Sequence, residues 1–296
     1  MSNYLESLGL KTDNSTYKLG VIGDPIGHTL SPKIHNIFAK QAKIKIDYQP
    51  YHVLPENLDS FIKDFFIKGG DGLNVTLPHK INCLRSVWGP SARVKFIGAA
   101  NTLKYIRSSD KIMADSTDGP GLVQDLKDKF KLFSANVLIL GAGGSASSII
   151  PSIEHCSPTN IILDNRSQEK IQTLINRFDN DNKSNYGLPP GKIPHKIVHI
   201  DNFEGEIDLV INATSAGFSG PFKWHRELNI NKKTVFYDLS YSNSEEKTPF
   251  LDWANQYSDN YHDGFGMLIN QAALSFEYWT GKKPDTKITK TELYND

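Results

Sequence analysis

The sequence predicts an α/β protein of two domains with a cleft between them, and three observations carry that prediction. Short apolar segments alternate with helical patterns from Lys18 onward, the mark of sheets covered by helices on both faces. A glycine-rich turn joins a strand to a helix at residues 141–146. The chain has 296 residues, of which 39% are hydrophobic and 22% charged, enough for two hydrophobic cores and unlike a disordered, collagenous or coiled-coil chain.

Taken in order, KLGVIG (18–23) reads as a strand ending at Gly23. A turn with Pro25 and Gly27 leads to Pro32, which suits the start of a helix, with Ser31 as its N-cap. That helix runs through His35 and Phe38 to a second strand, YQPYHV (48–53). LDSFIKDFFIKGG (58–70) is amphipathic and stops at a glycine pair. DGLNVTL (71–77) is a strand broken by Pro78. The first domain is therefore expected to hold a parallel sheet.

A second unit begins near Asp118. GPGLVQDLKDKFKL (119–132) reads as a helix, NVLIL (136–140) as a strand, residues 141–153 as a tight turn and helix, and NIILDN (160–165) as the next strand. The polar span 178–194 reads as a surface loop. DLVINATSAG (208–217) and VFYDLSY (235–241) are strands ending in polar or small residues, and residues 264–281 form a last helix closed by Gly281 and Pro284. Ligands of open α/β sheets sit beyond the carboxyl ends of the strands, where these polar motifs fall.

Charge and cysteine content narrow the function. Lys plus Arg equals Asp plus Glu at 33 each, so no electrostatic argument points to nucleic acid. The two cysteines, Cys83 and Cys156, allow no disulfide framework. No apolar run approaches the roughly 20 residues of a membrane span, and the polar first 17 residues lack a signal-peptide pattern. A cytoplasmic protein is expected. No metal is expected, because no His/Cys/carboxylate cluster has ligand spacing; His35, His79 and His262 read as structural.

Gly141, Gly143 and Ala146 form G-x-G-x-x-A between strand and helix. The first glycine makes the turn, the second admits a pyrophosphate, and the small third residue lets helix and strand pack closely. About 20 residues on, such a fold places the group that reads the ribose. Asp164 there would favour NAD and Arg166 would favour NADP, so the residues alone leave both cofactors open.

Several blocks resemble the shikimate dehydrogenase family: His28-Thr29-Leu30-Ser31-Pro32, residues 74–80 (NVTLPHK), 98–102 (GAANT), 116–119 (STDG), 141–146 (GAGGSA), 165–167 (NRS), 212–217 (NATSAG) and 263–268 (DGFGML). They stand in the family's order across most of residues 18–281. The resemblance implies a substrate-binding N-terminal domain (18–118 plus 265–296, after a polar extension, 1–17) and a Rossmann-type NADP-binding domain (119–264). It implies NADP-dependent interconversion of 3-dehydroshikimate and shikimate, in chorismate and aromatic amino acid biosynthesis. The implied catalytic pair is Lys80, relaying the proton, and Asp118, orienting it; a lysine suits this chemistry where its surroundings favour proton release. Thr29 and Ser31 would meet the substrate carboxylate. Asn74, Thr76, Asn101 and Gln271 would meet ring hydroxyls, with Tyr241 nearby.

For the cofactor, the resemblance implies phosphate contacts from Gly141, Ala142, Gly143, Gly144, Ser145 and Ala146. Asn165, Arg166, Ser167 and Lys170 would select NADP. Asn212, Thr214, Ser215, Gly264 and Met267 would line the nicotinamide end. The expected partners are the small-molecule substrate and at most a second copy in a homodimer, with no nucleic acid and no membrane.

The sequence departs from the family's pattern in several places. Thr29 replaces a serine, Ser116 an asparagine, Ser167 often a threonine and Lys170 often an arginine. Residues 112–115 differ from a glycine-containing turn, and loops 180–194 and 218–226 look particular to this chain. Two further readings therefore stay open: a quinate/shikimate or aminoshikimate paralogue using NAD, and a non-catalytic dinucleotide-dependent binding protein.

Overall fold

The computed structural model describes residues 7–11, 15–27, 29–178, 196–216, 220–242 and 246–294. The chain divides into two compact units, residues 1–117 with 269–296 and residues 118–268.

The first unit is built on strands β1 (Tyr17–Gly23), β2 (Ile46–His52), β3 (Gly72–Val75), β4 (Gly89–Pro90), β5 (Thr102–Ile106) and β6 (Lys111–Asp115). Their order in the sheet is β2-β1-β3-β5-β6-β4. Helix α1 (Ser31–Ala42) links β1 to β2, α2 (Leu58–Ile67) links β2 to β3, and α3 (Ala92–Ile97) precedes β5. β1 runs parallel to β2 and β3.

The sheet is not parallel throughout, which corrects the expectation for this domain. β3 with β5 and β5 with β6 are antiparallel. Between β5 and β6 stands only a short turn, Arg107–Ser109, followed by Asp110 at φ 52°. A parallel pair needs a crossover of a dozen or more residues, so a link this short forces a hairpin. Residues 112–115, read from sequence as an altered turn, lie within β6.

A second correction concerns the start of α1. The helix begins at Ser31, with Leu30 in the N-cap position, so Ser31 is not the cap. The hydroxyl of Thr29 takes that task, accepting the Ser31 N–H at 3.2 Å and so satisfying a donor with no partner inside the helix.

The first unit's sheet has a core on each face. On one, Ile22, Leu73 and Val75 pack with Ile62, Phe65 and Phe66 of α2. On the other, Tyr17, Leu19, Val21 and Tyr48 pack with Trp279. Trp279 lies on α8 (Phe265–Thr280), closed by Gly281 at φ 69°. Its indole N–H donates to the Leu103 carbonyl at 2.8 Å. A Cβ at Gly72 would stand 2.3 Å from the indole nitrogen, so β3 opens on the one residue that admits the ring.

The second unit carries β7 (Asn136–Leu140), β8 (Asn160–Asp164), β9 (Lys196–His199), β10 (Leu209–Asn212), β11 (Val235–Asp238) and β12 (Tyr261–His262). Their order is β12-β11-β10-β7-β8-β9, and each pairing is parallel. Helices α4 (Asp118–Leu126), α5 (Gly144–Glu154), α6 (Gln168–Phe178) and α7 (Pro249–Ala254) accompany it. β7, flanked by β8 and β10, is where the strand order reverses, the point at which such sheets bind ligands. Of the polar span 178–194 expected to form a loop, Phe178 is the buried last residue of α6 and residues 179–194 lie outside the described residues, as do His28 and residues 217–219. Among the described residues no helix is long and apolar enough to cross a membrane.

Replacing Trp279 with Ala empties the ring's place against β1 and β2 and strands the Leu103 carbonyl. Urea unfolding should register a loss of about 3–5 kcal/mol, and a loss under about 1 kcal/mol would contradict this packing.

Candidate active site

In the first unit, Asn74, Asn101 and Gln271, all singled out from sequence, meet in one hydrogen-bonded cluster. Asn74, at the end of β3, is buried. Its Oδ1 accepts from the Tyr48 hydroxyl at 2.8 Å, and its Nδ2 faces Ser275 Oγ at 3.0 Å and the Asn101 carbonyl at 3.2 Å. Asn101, just before β5, accepts the Thr117 N–H at 2.8 Å on Oδ1 and donates from Nδ2 to Thr117 Oγ1 at 2.9 Å and to Gln271 Oε1 at 3.1 Å. Thr102 and Ser275 join through a 2.7 Å hydroxyl pair. The side chains that sequence reasoning missed are therefore Tyr48, Thr102, Thr117 and Ser275. Each looks like an ordinary strand or helix residue, and only long-range pairing reveals its part.

Thr29 and Ser31 stand at the start of α1 with their hydroxyls 3.1 Å apart. His35, one turn along, is fully buried and stacks on Tyr48 with ring centroids 4.3 Å apart. Burial pushes its pKa down to about 3, leaving a neutral ring. Thr76 is half-buried, its N–H donating to the Ile22 carbonyl at 2.9 Å.

Lys80 is half-buried on a backbone held from both sides. His79 Nε2 donates to the Val53 carbonyl at 2.7 Å, and the Lys80 carbonyl accepts the Ala100 N–H at 2.8 Å. The cation also acts on its neighbour: burial pushes the Cys83 thiol up to about 12, partly opposed by the bond to Ala100 and by the charge of Lys80.

In the second unit, Asp118 is buried as the first residue of α4. A Cβ at the following Gly119 would meet the Ser148 carbonyl oxygen at 2.5 Å, so α4 rests directly on α5. Gly141 ends β7 at φ 110°, a conformation that favours glycine, with Ala213 and Thr214 3.0 Å from where a Cβ would be. Gly143 is exposed and a Cβ there would meet nothing within 4 Å, so space is open beside the first N–H groups of α5. Gly144 and Ala146 are buried, with Ala142 and Ser145 half-buried between them.

Arg166 and Lys170 are exposed after β8, and Asn165 donates its amide to the Ser167 carbonyl at 3.2 Å. Across the strand-order reversal, buried Asn212 accepts from the Thr214 hydroxyl at 2.7 Å and donates to Asp238 Oδ1 at 3.0 Å, which fixes the turn leading to exposed Ser215. Gly264 has the Leu239 carbonyl oxygen 2.3 Å from a Cβ position; Met267 is buried and Tyr241 half-buried.

These features fit a dinucleotide. The turn has the required left-handed glycine, and open space lies at the positive end of a helix where phosphates bind. Two exposed cations follow the next strand. Among the described residues no group of His, Cys, Asp and Glu could hold a metal ion.

Comparison with known proteins gives the family. Residues 21–103 match the shikimate dehydrogenase substrate binding domain, 123–239 the shikimate/quinate 5-dehydrogenase domain, and 264–294 the shikimate 5′-dehydrogenase C-terminal domain. A shikimate dehydrogenase (NADP(+)) of Vesicomyosocius okutanii is 37% identical over 281 residues, covering 94% of this chain and 99% of its own. The chain belongs to the shikimate dehydrogenase family. A shikimate dehydrogenase (NADP(+)) of Legionella pneumophila is also 37% identical, over 93% of this chain and 98% of its own. Among solved structures, a shikimate dehydrogenase in complex with NADP+ aligns at a TM-score of 0.78 with 30% identity, covering 97% of this chain and 98% of that one. The two-domain α/β fold agrees with this family.

Asp238, beneath the Asn212 turn, offers a pH test. Burial pushes its carboxyl up to about 6, opposed by the Thr248 hydroxyl, the Ser240 N–H and Asn212. Folded Asp238 thus holds its proton more tightly than an unfolded aspartate does. Its contribution to stability is full at low pH and fades as pH rises from about 4 through about 6. Relative to Asp238→Asn, the native chain should lose on the order of 2–3 kcal/mol across that window in urea unfolding. A difference that stays flat with pH would contradict the assignment.

Proposed function

We propose that this chain is an NADP-dependent shikimate dehydrogenase, reversibly reducing 3-dehydroshikimate to shikimate in chorismate and aromatic amino acid biosynthesis. The observation that carries the reading is the amide and hydroxyl cluster of buried Asn74, Asn101 and Thr117 with half-buried Gln271, found in a chain that also carries Lys80, Asp118 and the Gly141 turn. Neutral amides and hydroxyls suit a polyhydroxy ring, because they donate and accept without imposing charge. In domain terms, residues 18–118 with 265–296 bind substrate and residues 119–264 bind the dinucleotide.

We assign Lys80 and Asp118 as the catalytic pair. In the oxidising direction the Lys80 amine takes the proton of the substrate hydroxyl, and in the reducing direction the ammonium returns it to the oxygen. Asp118 accepts a hydrogen bond from the same hydroxyl and orients the amine. NADP, when bound, supplies or accepts the hydride. Thr29 and Ser31, at the positive end of α1, hold the substrate carboxylate. Asn74, Thr76, Asn101 and Gln271 hold ring hydroxyls, with Tyr241 beside them.

Gly141, Ala142, Gly143, Gly144, Ser145 and Ala146 cradle the pyrophosphate. Asn165, Arg166, Ser167 and Lys170 take the 2′-phosphate. Asn212, Thr214, Ser215, Gly264 and Met267 face the nicotinamide. We place the reaction in the cytoplasm, a setting that suits the two free cysteines.

Rates with shikimate and quinate, each with NADP and with NAD, test the reading: kcat/KM should be highest for shikimate with NADP. A quinate or NAD optimum would replace it with the paralogue reading, and no turnover with any pair would leave only the binding protein. Lys80→Ala should lower kcat by on the order of 100-fold or more, with a smaller change in KM. Near-normal turnover in that variant would remove the mechanism.

A further inference from the structure

Asp164 ends β8, where a dinucleotide-binding sheet presents the group that reads the ribose, and a carboxylate there would favour NAD. Its side chain is fully buried, with Oδ2 hydrogen-bonded and Oδ1 left without a hydrogen-bond donor. The Trp224 indole N–H donates to Oδ2 at 2.7 Å, Arg226 Nε lies 3.3 Å from the same oxygen, and His225 Nε2 lies 3.4 Å from Oδ1. Arg226 also bonds Asp201, so one guanidinium is held between two carboxylates.

Strand geometry accounts for the arrangement. Successive side chains alternate across a sheet, so Asp164 faces the same side as Ile162. That side is covered by Phe222, Phe236 and Phe250, and Phe222 brings residues 224–226 onto the strand end. The next residues turn outward: Asn165 is half-buried, and Arg166 and Lys170 are exposed.

We propose that Asp164 is a positioning residue for cofactor choice, with Trp224 and Arg226 turning its carboxylate away from the ribose and compensating its charge, so that Arg166 and Lys170 can receive the 2′-phosphate of NADP at this strand end. The proposal rests on the dinucleotide reading of the Gly141 turn and adds the device by which the chain, despite an aspartate at this position, rejects NAD. A guanidinium stays charged at any working pH, so the compensation is permanent. Removing it while leaving Asp164 in place would set a negative charge against the incoming phosphate.

The test is direct binding of NADPH and NADH to the full chain, followed by the fluorescence of the reduced nicotinamide, in the native protein and in Arg226→Gln, Trp224→Phe and the double variant Asp164→Asn/Arg226→Gln. Thermal melting of each accompanies the titrations. Arg226→Gln should weaken NADPH about 10-fold while NADH changes little, so the Kd ratio between the two collapses. Trp224→Phe should shift the ratio in the same direction by a smaller factor, and it keeps the proposal testable should Arg226→Gln fail to fold. In the double variant the ratio should return to within about 3-fold of native.

A ratio that stays low in the double variant would mean that Arg226 itself grips the phosphate, and would overturn the proposal. Equal weakening of both cofactors would reduce the cluster to a structural brace and overturn it too, as would no change in either single variant. Native protein that binds neither nucleotide would instead bring down the dinucleotide reading, and this proposal with it.

Discussion

A buried amide that lacks a partner costs about 1–3 kcal/mol, and the first unit buries two of them at the ends of its central strands. Asn74 and Asn101 are affordable only because each completes the other's surroundings: the Asn101 carbonyl accepts from Asn74, and both reach helix α8, one through Ser275 and one through Gln271. This mutual satisfaction fixes where β3, β5 and α8 stand with respect to one another. Substituting any member leaves a partner exposed to an apolar interior. The geometry of this cluster is thus set by how the unit closes.

The second unit solves a different problem with the same means. Its central strands are buried on both faces, so the polar residues at their carboxyl ends must each find a bond there. Asn212 finds Asp238 and Thr214; Asp164 finds Trp224 and Arg226. Only after these internal bonds are counted do the side chains left for a ligand stand out: the exposed Arg166 and Lys170, the exposed Ser215 and the open ground at Gly143.

What the sequence made legible follows the range of the interactions involved. The Gly141 turn was readable because strand, turn and helix are contiguous and each glycine has a local reason. Helices α2 and α8 were readable from periodicity and from their glycine stops. The β5–β6 hairpin was not, because its turn, Arg107–Asp110, lacks the Asn-Gly or Asp-Gly pair that would announce it. The helix start near Ser31 was readable, but the capping role went to the wrong hydroxyl, since helix starts shift by a residue with the backbone. Trp224 and Asp164 lie 60 positions apart, and nothing in either neighbourhood hints at the other. The same holds for Ser275, a helix residue whose hydroxyl completes a strand-end cluster 201 positions away.

The two units differ in how they draw on the chain, and this bears on the order in which a ribosome could deliver them. Residues 118–268 form a continuous stretch, so the second unit has all its strands in hand before α8 is finished. The first unit does not: the apolar strip of Tyr17, Leu19, Val21 and Tyr48 waits for Trp279, which arrives 176 positions after its own hydrogen-bond partner Leu103. Until then, one face of an early-made sheet stays bare and open to wrong partners. Helix α8 is the element that closes this face of the early-made sheet.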